Sequence, residues 1–143
     1  MMLSIRNLSV TIGQSEIVNV ERLDIAQGRR VGLVGESGSG KSLTAMSIAG
    51  LQPRDAVLKG SVRFDDEELL GASDRDMARL RGSKIGFIPQ DPTRALNPTT
   101  RIGKQIAEAF RLNTDLGQRA IWQEVLKLIA RVALPDTEAM VER

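Results

Sequence analysis

Neither cysteine nor histidine occurs in this 143-residue chain, tyrosine is missing as well, and aromatic residues amount to 3%. Without cysteine no disulfide framework can form. Without cysteine and histidine together, the usual thiolate and imidazole ligands of zinc are gone, and no Ser-His or Cys-His nucleophile can be assembled from this chain. Any chemistry must therefore rest on backbone amides, lysine, hydroxyls, carboxylates or side-chain amides. Long apolar runs are lacking too: nothing approaches the roughly 18 residues needed to span a bilayer, and Met1-Met2-Leu3-Ser4 does not open a secretory leader. The expectation is a cytosolic protein, in keeping with the absence of cysteine. A charge of one sign is also absent, since 20 Lys and Arg face 18 Asp and Glu for a net +2. The pI near 9.4 reflects the missing histidine more than a basic block, so charge gives no argument for nucleic-acid binding.

What is present is globular in character. The chain is 41% hydrophobic and 27% charged, with length for one average domain. Residues 3–12 carry Ile5, Leu8, Val10 and Ile12 in loose alternation, and Ile17, Val18, Val20, Leu23 and Ile25 follow a turn at Gly13-Gln14. This reads as an antiparallel ribbon. Arg30 to Val34 is a short apolar run of the kind found in a parallel strand covered on both faces, and Ile85 to Ile88 is a second. Between them, Lys41 to Ala49 fits a helix stopped by Gly50 and Pro53. Val57 to Phe64 alternates as a strand closed by a turn at Asp65-Asp66. Ser73 with Asp76 resembles a capping box for a helix through Met77 and Leu80 that Gly82 ends. Pro89-Gln90-Asp91-Pro92 cannot be helical throughout. Beyond Asn97-Pro98 only helical periodicity remains: Ile102, Ile106, Ala109 and Phe110 on one face, then Ile121, Val125, Leu126, Ile129 and Val132, with a third helix from Asp136. Ile121, Val125, Ile129 and Val132 read as core, Trp122 as packing, and Asp65-Asp66 and Glu67-Glu68 as a solvated turn, with no sign of general acid or base work.

The strongest signal is Gly35-Glu36-Ser37-Gly38-Ser39-Gly40-Lys41-Ser42, a G-x-x-x-x-G-K-[ST] loop between an expected strand and an expected helix. At average composition its four specified positions recur by chance in roughly one of 200 chains this long. Glycines at 35, 38 and 40 let successive N–H groups converge on phosphate oxygens, and the helix that follows adds the positive end of its dipole. Lys41 supplies a mobile charge for the β- and γ-phosphates, and the Ser42 hydroxyl is a hard ligand for Mg²⁺.

With this loop and Gln90 in view, the chain resembles the ATP-binding subunits of ABC transporters. Ile88-Pro89-Gln90-Asp91-Pro92 and Leu96-Asn97-Pro98 are similar to the Q-loop of the peptide and nickel importer branch, whose usual wording of the phosphate loop is also found here. The resemblance implies an α/β fold: a P-loop NTPase, RecA-like core with an antiparallel β subdomain (residues 1–97) and the start of a helical subdomain (98–143). It implies ATP and Mg²⁺ as cofactors, with Gly35, Glu36, Ser37, Gly38, Ser39, Gly40, Lys41, Ser42 and the adjoining Leu43 around the nucleotide. Lys41 and Gln90 would be catalytic, and Ser42 and Gln90 would hold the metal. An amide suits that place because it both accepts and donates.

The resemblance further implies import of peptides or a related small solute. A second ATP-binding subunit, like or unlike, and membrane permease subunits meeting Gln90–Arg101 would be the partners, at the inner face of the cell membrane and without nucleic acid. Where the family stacks an aromatic on adenine, this chain has Ile12, which predicts weak base selectivity and tolerance of GTP. The family's signature loop, acidic strand and switch histidine would all follow Glu138–Arg143, so the expectation is an N-terminal fragment. Such a fragment would bind nucleotide, barely hydrolyse it, and self-associate through uncovered strand faces. Two readings compete: a soluble ABC-type ATPase acting on nucleic acid or ribosomes, and a P-loop small-molecule kinase, for which Arg79, Arg81 and Arg94 are available.

Overall fold

The computed structural model describes residues 1–91 and 95–132, and it divides the chain into two compact units, Met1–Arg81 and Gly82–Arg143. Arg94 and the third helix expected from Asp136 lie outside the described residues.

In the first unit, β1 (Leu3–Ile12) and β2 (Ser15–Ile25) form the expected ribbon, with β3 (Ala56–Phe64) on the other side of β1 and the short β4 (Glu67–Glu68) at the far edge. All pairings are antiparallel and the order is β2-β1-β3-β4. The loose alternation of β1 has a physical cause. Its pairing with β3 slips by one residue between Arg6 and Ser9, so Asn7 and Leu8 together oppose Gly60, a β-bulge. Asn7 takes the strain of the bulge at φ 49°, a conformation asparagine tolerates better than most residues. The slip changes the phase of the strand, and Leu3, Ile5, Leu8 and Val10 all turn to the core. Ile5, Leu8, Val10 and Val62 are fully buried, each contributing about 1.5–3 kcal/mol of hydrophobic stabilisation.

The β3–β4 connection is the two-residue turn expected at Asp65-Asp66, both with positive φ (46° and 66°), as a hairpin with the right-handed twist of its strands requires. Helix α1 (Lys41–Ile48) ends as anticipated. Gly50 adopts φ 63°, Gly50 N–H donates to the Ser47 carbonyl (3.3 Å) and Leu51 N–H to the Met46 carbonyl (2.8 Å), closing the last turn. Helix α2 (Asp74–Ser83) begins at the capping box: Ser73 Oγ accepts from Asp76 N–H (3.2 Å) and donates to the Asp76 carboxylate (2.7 Å). Gly82 does not end it, since the helix continues to Ser83.

Two expected strands do not form. Residues 30–34 and 85–88 carry no strand pairing, and Val34 and Ile88 are 98% and 94% exposed. A parallel strand exists only through neighbours that complete its ladder and layers that cover its faces, and none of the described strands pairs with either segment.

The second unit contains a hairpin of α3 (Ile102–Asn113) and α4 (Gln118–Arg131). Ala107, Ile121, Val125 and Ile129 are its core, with Ile106, Phe110, Trp122 and Leu126 packed around them. The buried face of α3 is thus centred on Gly103 and Ala107, whereas Ala109 is exposed. Val132, expected in the core, lies beyond the last helical turn and is 65% exposed.

Candidate phosphate-binding site

The loop of Gly35–Ser42 emerges from the exposed 30–34 segment and enters α1. Its glycines have different reasons to be there. Gly38 (φ 80°) and Gly40 (φ 81°) occupy the left-handed region that only glycine enters freely. Gly40 is constrained a second way: a Cβ there would lie 2.7 Å from the Ile17 carbonyl oxygen and 2.8 Å from Val18 Cγ2, so the start of α1 sits directly on β2. Gly35 is not left-handed, but a Cβ on it would meet Ser39 Oγ at 2.8 Å. Ile17 and Val18 thus support the loop from below, a role their sequence pattern did not signal because it depends on how α1 meets the sheet.

Lys41 folds back into the loop. Its Nζ donates to the Gly35 carbonyl (2.8 Å), the Glu36 carbonyl (2.5 Å) and Ser39 Oγ (3.2 Å), so the ammonium is held within the space the loop encircles. Ser39 N–H bonds the Glu36 carbonyl (3.3 Å), which narrows the turn. Behind it, Thr44 N–H and Oγ1 both donate to the Gly40 carbonyl (2.8 and 2.9 Å). Buried Ser47 likewise donates to the Leu43 carbonyl (2.8 Å), so neither buried hydroxyl on α1 is left unsatisfied. Residues 31–39 and Ser42 are exposed. The Gly40 N-cap has no side-chain capping bond, and no acidic residue stands in the first turn. No side-chain cap and no first-turn carboxylate therefore compete with an anion for the N–H groups that open α1.

Ile12 ends β1, paired with Ser15 and Ala56 and half-buried, in the same unit as the loop. Gln90 belongs to the second unit, where it is an exposed residue at a bend. Residues 96–98 are anchored through Asn97. Asn97 N–H donates to Gln105 Oε1 (2.9 Å), Gln105 Nε2 donates to the Asn97 carbonyl (3.0 Å), and Asn97 Oδ1 accepts from Thr99 N–H (3.0 Å). The amide of Gln105 thereby ties Leu96-Asn97-Pro98 to the first turns of α3. Among the described residues, no three Asp, Glu, His or Cys side chains gather as a metal cluster. The carboxyl-rich β3–β4 turn is structural in part: Glu68 accepts from Ser61 Oγ, Val62 N–H (2.8 Å) and Leu70 N–H (3.1 Å).

Comparison with known proteins covers nearly the whole chain. The family profile described as ABC transporter matches residues 7–142. The chain is 38% identical over 140 residues to the dipeptide transport ATP-binding protein DppD of Bacillus subtilis (strain 168), which takes in 94% of this chain and 42% of that protein. It is 43% identical over 115 residues to the oligopeptide transport ATP-binding protein OppD of Mycobacterium tuberculosis (strain ATCC 25618 / H37Rv), covering 80% and 19% respectively. The chain therefore spans less than half the length of these relatives. In fold it matches the ATP-binding cassette MJ0796, solved as a dimer in a post-hydrolysis state bound to ADP and Pi, with a TM-score of 0.83 at 20% identity over 99% of this chain and 61% of that one.

Proposed function

Because this chain belongs to the ABC transporter family, we propose that it forms the phosphate-holding part of an ATP-binding subunit that drives import of peptides or a related small solute. The observation that carries the reading is the state of Lys41. Its ammonium sits among the loop oxygens of Gly35, Glu36 and Ser39, within the loop that would hold the phosphates. Gly38 and Gly40, both at positive φ, would let the loop N–H groups turn toward a phosphate, and the start of α1 would add its dipole. Leu43 completes the first turn behind the loop.

The exposed Ser42 hydroxyl at that turn fits Mg²⁺, which takes hard oxygens, keeps several waters and shares the phosphates. Gln90 would supply a second oxygen to the metal and orient the attacking water. Bound there, Mg²⁺ would neutralise charge on the transferring phosphoryl group. Ile12 offers adenine an apolar contact and no ring to stack on. The partners in this reading are a second ATP-binding subunit and permease subunits that meet Gln90–Arg101 at the cytoplasmic face of the membrane. Exposed Val34 and Ile88 supply apolar surface through which the 143 residues would self-associate. Among the described residues no helix is long and apolar enough to cross a membrane.

The test is a titration of the chain with ribose-labelled ATP and ribose-labelled GTP in Mg²⁺. Saturable binding of both, weakened at least about tenfold by Lys41→Ala, is the expected result. Equal binding by Lys41→Ala overturns the phosphate site, and a strong preference for ATP overturns the assignment of Ile12.

A further inference from the structure

We infer that the second unit carries an anion site of its own, a basic cleft between α3 and α4 that takes a phosphate-bearing group. The cavity is about 260 Å³ and is walled by Arg101, Lys104, Arg111 and Arg119, with Gln118 beside them and Trp122 on one side. Its floor is apolar and firm, made by buried Ala107 and Ile121. Among the described residues no carboxylate lines it. This is a local excess, since residues 101–132 hold six basic against three acidic side chains while the whole chain is nearly balanced.

Like charges gathered in a concave surface raise one another's energy and focus a positive potential on the space between them. Among the described residues, Lys104, Arg111 and Arg119 are in no side-chain ion pair. Glu124, the acidic residue on α4, is paired with Lys127 instead (2.7 Å). The guanidinium groups of Arg111 and Arg119 present planar, forked donors suited to phosphate oxygens, and Lys104 adds a point charge. Trp122, half-buried against the helix core, gives the arginine and lysine stems an apolar wall. The same donor set would accept a soluble phosphate ester or the phosphate of an anionic lipid headgroup.

Trp122 is also the chain's single tryptophan, and there is no tyrosine, so its emission reports this cleft alone. The experiment titrates the intact chain with pyrophosphate, and separately with phosphatidylcholine vesicles with and without phosphatidylglycerol, while reading Trp122 fluorescence. A saturable change with pyrophosphate, or one confined to vesicles containing phosphatidylglycerol, is expected, and which arm responds identifies the source of the phosphate. Arg111→Gln with Arg119→Gln should weaken that response about tenfold or more with circular dichroism unchanged. Lys127→Gln should leave it unaltered, and so should Lys41→Ala, which disables the proposed loop site. Silence in both arms, an equal loss in Lys127→Gln, or loss of the response in Lys41→Ala would each overturn the proposal.

Discussion

Gly40 shows how much one residue can be asked to satisfy. It ends the phosphate loop, begins α1, holds φ 81° and leaves room for the Ile17 carbonyl and the Val18 side chain. Gly40→Ala should lose about 1 kcal/mol from backbone conformation alone and more from the close approach to Ile17, lowering the urea midpoint and weakening nucleotide binding together; an unchanged midpoint would contradict this account. Glu68 is a second single-residue case. Burial pushes its carboxyl up, but the hydrogen bonds from Ser61, Val62 and Leu70, with the nearby Arg63 charge, outweigh that and hold it below the usual glutamate value of 4.5. A depressed carboxyl favours the fold when ionised, so its contribution is complete above about 4.5 and is lost as pH falls through the lower folded-state value. Denaturant midpoints measured at pH 7 and again below 4.5 should therefore diverge less in Glu68→Gln than in the unaltered chain.

Elements here are decided by their ends as much as by their interiors. Helix α2 has only Met77 and Leu80 buried, so its start matters: Ser73→Ala removes the bond to Asp76 N–H and should cost about 1 kcal/mol. Thermal unfolding read by circular dichroism would register the loss, and a restored midpoint in Ser73→Asp would attribute it to capping. Strand β1 makes the complementary point. Its residues alternate imperfectly because a bulge at Asn7-Leu8 resets the phase halfway, and the fit of Gly60 opposite it is so close that a Cβ would collide with the Asn7 carbonyl. The helices α3 and α4 were legible from period and breaks, but the burying face of α3 turned out to be rotated toward Gly103 and Ala107. A stripe of large apolar residues marks which side is oily, whereas small residues mark where another helix comes closest.

At the scale of the whole molecule, a ligand that binds the folded chain stabilises it by mass action. ATP with Mg²⁺ at about 100 times its dissociation constant should add about 2.7 kcal/mol to the unit that carries the loop, seen as a rise in its melting temperature that Lys41→Ala abolishes.

By itself the sequence determined what depends on near neighbours: the ribbon, its turns, the caps of α1 and α2, the helical hairpin and the glycine-rich turn that leads into α1. Each of these is set by backbone freedom, hydrogen bonds or periodicity within a dozen residues. Tertiary structure decided what depends on distant ones. It left 30–34 and 85–88 unpaired where local pattern favoured strands, because a parallel strand has no stability without neighbours from elsewhere in the chain. It also brought Arg101 and Lys104 to the same cleft as Arg111, Arg119 and Trp122, a gathering of charge that no spacing along the chain announces, because it arises only when one helix folds back on another.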